Sequence, residues 1–193
     1  MGQVRVRATP AAPDTLTREC WLVPFAAPPQ PRTLRSRVRL ANGRLTVRYV
    51  LEGALEDLEL PRPVDPPRRL DGLWQATCFE AFLSSPPAAG YRELNLAPAG
   101  HWACYRFSAP REGLQLEPAL AALDWKTHRV PGHFAIRFTL RTAELELGGP
   151  ALRLGLSAIL MRRDGVREFW ALDHPAAAPD FHNPAGHLLE LPL

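Results

Sequence analysis

The chain has 193 residues, of which 46% are hydrophobic, and this length and composition predict a single domain over residues 1–193 with a large buried core. The formal net charge is +3, and the basic residues stand singly apart from a cluster between Arg32 and Arg48, which does not predict the basic patch of a nucleic-acid-binding protein. No apolar run approaches the ~18 residues of a membrane span, and the first residues do not have the pattern of a secretory signal.

The first strong structural pattern along the chain is a β-hairpin over residues 37–53. Its Asn42-Gly43 pair supplies the positive φ angles of a two-residue turn. The apolar side chains after this turn fall on one face, at Leu45, Val47, Tyr49 and Leu51. This alternation has the period of two that is typical of a strand with one buried face.

Alternating runs separated by Pro- or Gly-bearing turns continue along the chain. Residues 60–70 carry four prolines and are expected to form an ordered loop. The pattern predicts further strands at residues 75–84, 91–96, 102–107, 132–140, 151–161, 166–172 and 187–191. Helix is expected to be scarce, with a turn or two at 112–123 and another at 142–147. Many antiparallel strands require a core between two sheets or within a barrel, so the predicted fold class is all-β.

Two segments share motifs with a known group of β-domains. In the first, Trp74 precedes a Cys-Phe-Glu strand at 78–80, a Tyr-Arg-Glu-Leu-Asn strand at 91–95, an Ala-Pro-Ala-Gly turn at 97–100 and Trp102. In the second, RLGLSAIL is followed by EFWALDHPAAAPDFHNPAGH. In this order the motifs resemble the DOMON-like domains related to family 9 carbohydrate-binding modules, from about residue 34 onward. The resemblance implies an antiparallel two-sheet sandwich, immunoglobulin-like or jelly-roll-like, whose relatives bind sugar or haem.

Aromatic and polar side chains of these segments have the chemistry of a sugar site. A pyranose presents apolar C–H groups to flat aromatic rings and hydroxyl groups to polar side chains. The candidate ligand-binding residues are Trp74, Glu80, Tyr91, Glu93, Asn95, Trp102 and Trp170, with Tyr105 nearby. Tyr91, Glu93 and Asn95 are two apart and therefore share a strand face. If their strand pairs with residues 75–84, Glu80 and Glu93 are neighbours.

These residues also have structural interpretations. Aromatic residues of a sandwich commonly belong to its core, and Glu80 can equally lie on a solvated face or pair with an arginine such as Arg92 or Arg106. Two glutamates beside an aromatic site also suit a glycosidase, which needs paired carboxyls ~5–9 Å apart across the scissile bond. Strand spacing does not establish that separation, and the resemblance is to binding domains. The sequence therefore favours a non-catalytic module for a carbohydrate or a similar polar small molecule.

A loop rich in histidine raises the alternative of a metal or haem site. His174, Asp180 and His182 are the metal-ligand candidates, with His187 nearby. Their spacing matches no tight ligand motif, and three prolines in the same stretch indicate a stiff structural loop. Haem needs an axial ligand such as one of these histidines or Met161, and no CxxCH attachment motif is present. The leading hypothesis requires no cofactor.

The cysteine pattern indicates the redox compartment. Cys20, Cys78 and Cys104 are odd in number and widely spaced, which favours reduced thiols over a disulfide framework. Together with the lack of a signal pattern, this predicts a cytoplasmic protein. Its expected partner is a small molecule, and it is expected to bind neither nucleic acid nor a membrane.

Overall fold

The computed structural model describes residues 15–147 and 149–193. Within them the chain forms twelve β-strands and three short 3-10 turns, which confirms the all-β prediction. In chain order the strands are β1 (Thr15–Pro24), β2 (Arg32–Ala41), β3 (Arg44–Gly53), β4 (Cys78–Ser84), β5 (Tyr91–Leu96), β6 (Trp102–Phe107), β7 (Gln115–Leu116), β8 (Asp124–Val130), β9 (His133–Arg141), β10 (Ala151–Met161), β11 (Arg167–Ala171) and β12 (Leu189–Pro192). The 3-10 turns are Leu73–Gln75, Thr142–Leu145 and Pro184–Gly186. No helix in the two described ranges is long and apolar enough to cross a membrane.

Neighbouring strands are antiparallel and follow one continuous path. The order is β7-β6-β5-β4-β10-β11-β1-β2-β3-β9-β8, with β12 paired to β10. Two residue pairs, Val23 with Ala171 and Pro24 with Trp170, join β1 to β11. This junction divides the path into a first half-sheet (β1, β2, β3, β9 and β8) and a second half-sheet (β11, β10, β12, β4, β5, β6 and β7). The expectation of two separate sheets is therefore not confirmed, because β1 pairs with both halves of a single curled sheet.

The main core lies between the two half-sheets. The four alternating side chains of β3 are all buried there, as the hairpin pattern predicts. Phe79 of β4 stacks on Phe134 of β9 with 5.7 Å between ring centroids. The Tyr49 hydroxyl of β3 donates to the carbonyl oxygen of Glu80 across the core. Because burying one large apolar side chain contributes about 1.5–3 kcal/mol, these cross-contacts hold the halves together.

The predicted strands and turns compare closely with the structure, with three exceptions. β5, β6 and β10 have the predicted bounds, and the Asn42-Gly43 turn has φ angles of +50° and +67°, as expected. The helical turns expected at 112–123 are wrong, because β7 in this segment pairs with β6 and the amide of Glu117 donates to the carbonyl of Cys104. β1 and β8 have no counterpart among the predicted strands.

Candidate functional site

The outer face of the second half-sheet, turned away from the main core, carries the candidate site. On β4 and β5, Glu80 is opposite Asn95 and Phe82 is opposite Glu93, so the two glutamates are diagonal neighbours. Tyr105 of β6 is opposite Glu93 on its other side. The pairing of β4 with β5 therefore brings both carboxyl groups to one surface, as the sequence suggested.

A second apolar cluster shapes this face. It consists of Phe82, Tyr91, Ala103, Tyr105 and Phe107, with Leu73, Trp74 and Phe181 packed against it. Tyr91 stacks on Phe107 with 4.8 Å between centroids, and Trp74 meets Tyr105 edge-on at 5.8 Å. The Tyr105 hydroxyl also donates to Asp71, which lies just before the 3-10 turn that carries Trp74. These contacts fix the orientation of the Trp74 ring.

A cleft of about 370 Å³ lies between this cluster and the loops around it. Its walls come from the turn at Leu73–Gln75, the connection between β6 and β7, and the segment that follows β11. Its apolar lining is Trp74, Phe107, Leu114, Ile159, Phe169, Pro179 and Phe181. Its polar lining is Glu80, Glu93, Arg111, Arg167 and His182. A predominantly apolar cleft of this size with a few converging polar groups has the character of a small-molecule site.

Glu80 and Glu93 are buried at the floor of the cleft. Glu80 Oε2 accepts a hydrogen bond from Ser157 Oγ at 3.1 Å, and Glu93 Oε1 accepts one from Asn95 Nδ2 at 2.8 Å. Burial, followed by the charge of Glu93, raises the pKa of Glu80 to about 8. Burial raises the pKa of Glu93 to about 7, against the opposing effects of the Asn95 hydrogen bond and of Arg111. The pair therefore retains protons above the ordinary carboxyl range and can both donate and accept hydrogen bonds.

Hydrogen bonds around His182 decide which of its ring nitrogens carries the hydrogen. The amide of Arg111 donates to the Tyr91 hydroxyl oxygen at 3.3 Å, which leaves the Tyr91 hydrogen for Nδ1 of His182 at 2.6 Å. Burial, and then Arg111, lowers the pKa of His182 to about 4, so the ring is neutral. A neutral ring that accepts at Nδ1 carries its hydrogen on Nε2. That Nε2 is 3.8 Å from Glu93 Oε2, so a donor and an acceptor face each other without a direct hydrogen bond.

Two arginines stand at the rim of the cleft. Arg111 pairs with Asp180 at 2.8 Å and so ties the β6–β7 connection to the segment after β11. The guanidinium of Arg167 lies over the Phe169 ring, 5.6 Å from its centroid. The sequence reasoning did not assign either arginine, Phe169 or Phe181 to the site. Phe169 and Phe181 lie inside a segment that resembles a known domain and Arg167 directly precedes it, which was the available signal, whereas Arg111 lies four residues beyond the other segment.

The seven predicted ligand-binding residues fall into three groups: those that line the cleft, those that lie behind it, and those that belong to the main core. Trp74, Glu80 and Glu93 line the cleft, while Tyr91 and Asn95 lie behind it and hold its polar groups. The assignment of Trp102 and Trp170 to the ligand site is wrong in this geometry. Both belong to the main core, with exposed fractions of 5% and 2%. Both side chains project toward the first half-sheet, from the face of the second half-sheet opposite to the cleft.

The two structural interpretations of Glu80 are also wrong. Glu80 is buried, which excludes the solvated face. Neither suggested arginine pairs with it, because Arg92 binds the Glu117 carboxylate at 2.6 Å and Arg106 binds the Gln115 side chain. Within the described part of the chain, Glu80 is a buried carboxyl whose side-chain partner is Ser157.

The metal-ligand candidates do not converge. His174 Nε2 lies 3.0 Å from the Val23 carbonyl oxygen, Asp180 pairs with Arg111, and His182 bonds with Tyr91. No group of three or more His, Cys, Asp or Glu residues that could hold a metal ion occurs in residues 15–147 and 149–193. The floor of the cleft consists of two carboxyl groups rather than a histidine or a methionine. The three candidate residues therefore do not form a metal site within these ranges.

Comparison with known proteins shows which solved structures share this fold. No family model matches the chain, and no curated protein matches it significantly. Among solved structures, a candidate carbohydrate-binding protein from Bacteroides uniformis superposes with a TM-score of 0.63 at 16% identity, covering 86% of this chain and 83% of its own.

Two further structures are of a family 9 carbohydrate-binding module from Caldicellulosiruptor kristjanssonii. The complex with cellotriose has a TM-score of 0.58 at 12% identity and covers 89% of this chain and 80% of that one. The complex with glucose has a TM-score of 0.53 at 13% identity and covers 89% and 82%. The chain therefore has the fold of carbohydrate-binding modules.

Proposed function

We propose that this protein is a non-catalytic carbohydrate-binding module whose cleft holds a small sugar. The observation that carries the proposal is the composition of the cleft, where aromatic walls surround a floor of paired carboxyl groups. The fold shared with modules solved in complex with cellotriose and glucose supports the same ligand class.

The walls suit the apolar faces of a sugar ring. Trp74, Phe169 and Phe181 line the cleft and are each partly exposed, so aromatic surface is available to a ligand there. C–H groups of a pyranose pack on such surfaces, while its hydroxyl groups stay available at the ring edge. Because Trp74 is held by Tyr105, its ring needs little ordering when a ligand binds.

The polar groups suit a hydroxyl at the ring edge. The 3.8 Å separation between His182 Nε2 and Glu93 Oε2 places a donor and an acceptor side by side. A hydroxyl accepts one hydrogen bond and donates another, so a single sugar hydroxyl can bind both groups at once. Glu80 extends this surface with a carboxyl group that is still protonated near neutral pH. Hydroxyl recognition at the floor then follows from side chains that are already in place.

The relative position of the carboxyl groups supports binding rather than hydrolysis. Glu80 and Glu93 project from adjacent strands of one sheet surface. Both therefore meet a ligand from the same side, whereas a glycosidase places its carboxyls on either side of the scissile bond. We assign no catalytic residue.

The same proposal includes the family and the compartment. The order of the Trp74, Cys-Phe-Glu and Tyr-Arg-Glu-Leu-Asn motifs supports a place among the DOMON-like domains. The two half-sheets around one core support the sandwich description of that group. The three free, buried cysteines support a reducing compartment such as the cytoplasm.

Isothermal calorimetry with glucose and cellotriose tests the proposed function. Trp74→Ala should weaken binding by about 1–3 kcal/mol, since it removes an aromatic face from the ligand. Trp21→Ala is the matched control, because Trp21 is exposed on the first half-sheet, away from the cleft. Absence of binding to both sugars and to a panel of other mono- and disaccharides would overturn the proposal, and so would equal losses in the two variants.

A further inference from the structure

The outer face of the first half-sheet, across the main core from the cleft, concentrates basic side chains. Strand register places Arg37 opposite Arg48, Arg48 opposite Arg137, and Arg137 opposite Lys126. Directly opposed residues project to the same side of a sheet, so these four cations form one row across strands about 4.8 Å apart. Like charges directly opposite each other destabilise a sheet. The stability of the fold therefore does not explain the row.

Further charges extend the row into a two-dimensional array, here called the basic face. Its basic members are Arg35, Arg37, Arg39, Arg44, Arg48, Lys126, Arg137 and Arg141. Its acidic members are Glu19, Glu52 and Asp124. Eight basic and three acidic groups leave an excess of positive charge larger than the +3 of the whole chain. Five of these basic residues come from the cluster between Arg32 and Arg48, and strand register adds Lys126, Arg137 and Arg141 to them.

Several cations of the basic face have no acidic partner. The ion pairs on the face join Arg37 to Glu19 at 2.8 Å, Arg35 to Glu52 and Arg137 to Asp124. Within residues 15–147 and 149–193, no ion pair involves Arg39, Arg48 or Lys126, and all three are exposed. These side chains are free to bind an anionic partner.

An apolar stripe borders the basic face along β1. Trp21 is opposite Arg35, and Val23 follows on the same side of β1. Their exposed fractions are 49% and 42%, so two large apolar side chains in succession face solvent. A stripe of this kind beside a polybasic surface combines the two contributions that hold a protein at a lipid interface.

We propose that the basic face binds the surface of a membrane rich in anionic lipid, with the Trp21 side chain at the level of the headgroups. The spread of charge over four strands matches a surface of lipid headgroups, and tryptophan is enriched at membrane interfaces. One exposed aromatic residue does not supply the successive stacking platforms that single-stranded nucleic acid uses. The proposal departs from the sequence-based expectation of no membrane partner. It does not depend on the ligand of the cleft, which opens on the other side of the core.

Sedimentation with lipid vesicles tests this proposal. The intact protein should bind vesicles of phosphatidylcholine with 30% phosphatidylserine and should not bind vesicles of phosphatidylcholine alone. The triple variant Arg39→Gln, Arg48→Gln, Lys126→Gln should lose affinity on the order of a hundredfold. Each Lys or Arg near an anionic membrane surface contributes roughly fivefold to the binding affinity, and the variant removes three of them. Trp21→Ala should weaken binding at least severalfold, and Trp74→Ala should not change it.

A second triple variant controls for net charge. Arg62, Arg68 and Arg106 are exposed and lie outside the basic face, so their replacement by Gln removes the same three charges. This variant should retain vesicle binding. The proposal is overturned if the two triple variants lose binding equally, if both vesicle types bind alike, or if the protein binds neither. Binding to an oligonucleotide in place of vesicles would assign the basic face to nucleic acid and would also overturn it.

Discussion

Replacement of Glu80 by Gln tests the protonation of the cleft floor. Burial raises the pKa of Glu80 from the ordinary 4.5 to about 8, so the folded protein keeps a proton that the unfolded chain has already released. A carboxyl group with a raised pKa contributes its full stability below its unfolded pKa, and that contribution is lost as the pH rises through its folded pKa. The free energy of unfolding of the wild type should therefore fall between about pH 4.5 and pH 8.

The size of the effect follows from the same shift. Each pKa unit corresponds to about 1.4 kcal/mol, so the Glu80 shift alone should cost the wild type on the order of 5 kcal/mol across this window, and the raised pKa of Glu93 adds to the loss. A glutamine carries no charge at any pH, and its amide oxygen can accept the hydrogen bond of Ser157. Glu80→Gln should thus resemble the wild type at pH 5 and should be more stable by a few kcal/mol at pH 8.5.

Urea denaturation from pH 5 to pH 9 measures this difference. Glu190→Gln, on the exposed side of β12, is the control and should follow the wild-type curve. A wild-type stability that stays level or rises toward pH 8.5 would refute the reasoning. Equal pH dependence of Glu80→Gln and the wild type would refute it as well, since the loss would then come from other groups.

Three further predictions concern the site, the thiols and the turns. Tyr91→Phe removes the donor to His182 Nδ1 and should weaken glucose binding by about 1 kcal/mol in calorimetry, and unchanged affinity would show that this bond does not orient the ring. The three buried cysteines should react slowly with a thiol reagent in the native protein and fully after denaturation without reductant, and recovery of fewer than three thiols would contradict this. Gly100→Ala should lower the free energy of unfolding by about 1–3 kcal/mol more than Gly165→Ala does. Both glycines have a positive φ, but only at Gly100 would an added Cβ lie 2.0 Å from the Trp125 ring. Equal losses in chemical denaturation would show that the Trp125 ring moves aside freely.

Strand prediction succeeded where one face of a strand contacts the core. β5, β6 and β10 lie inside the second half-sheet, and turn residues such as Gly90, Pro98 and Pro150 stand just outside their ends. β8 was missed because it is an edge strand with mostly exposed side chains, so its sequence lacks an apolar alternation. β1 was missed for a related reason, since Trp21 and Val23 place large apolar residues on its exposed face.

The candidate site was predictable only where it depends on local spacing. Glu80 and Glu93 reach the floor because each sits on the outer side of a strand and the two strands are paired. Arg111 and Phe181 come from loops far apart in the chain, and no short-range pattern relates them. Trp102 and Trp170 were misassigned because the second half-sheet is apolar on both faces, so alternation alone cannot show which face a tryptophan occupies.

The central position of β10 has a consequence for how the chain folds during synthesis. β10 pairs with β4, β11 and β12, so the second half-sheet cannot be completed before residues 151–161 have left the ribosome. Until then β4 presents an unpaired edge, and β6 carries apolar side chains on both faces. Edges and surfaces of this kind aggregate and bind chaperones. A nascent chain arrested before Ala151 should therefore be trapped by a holdase chaperone, whereas one arrested after the entire second half-sheet has emerged should be released.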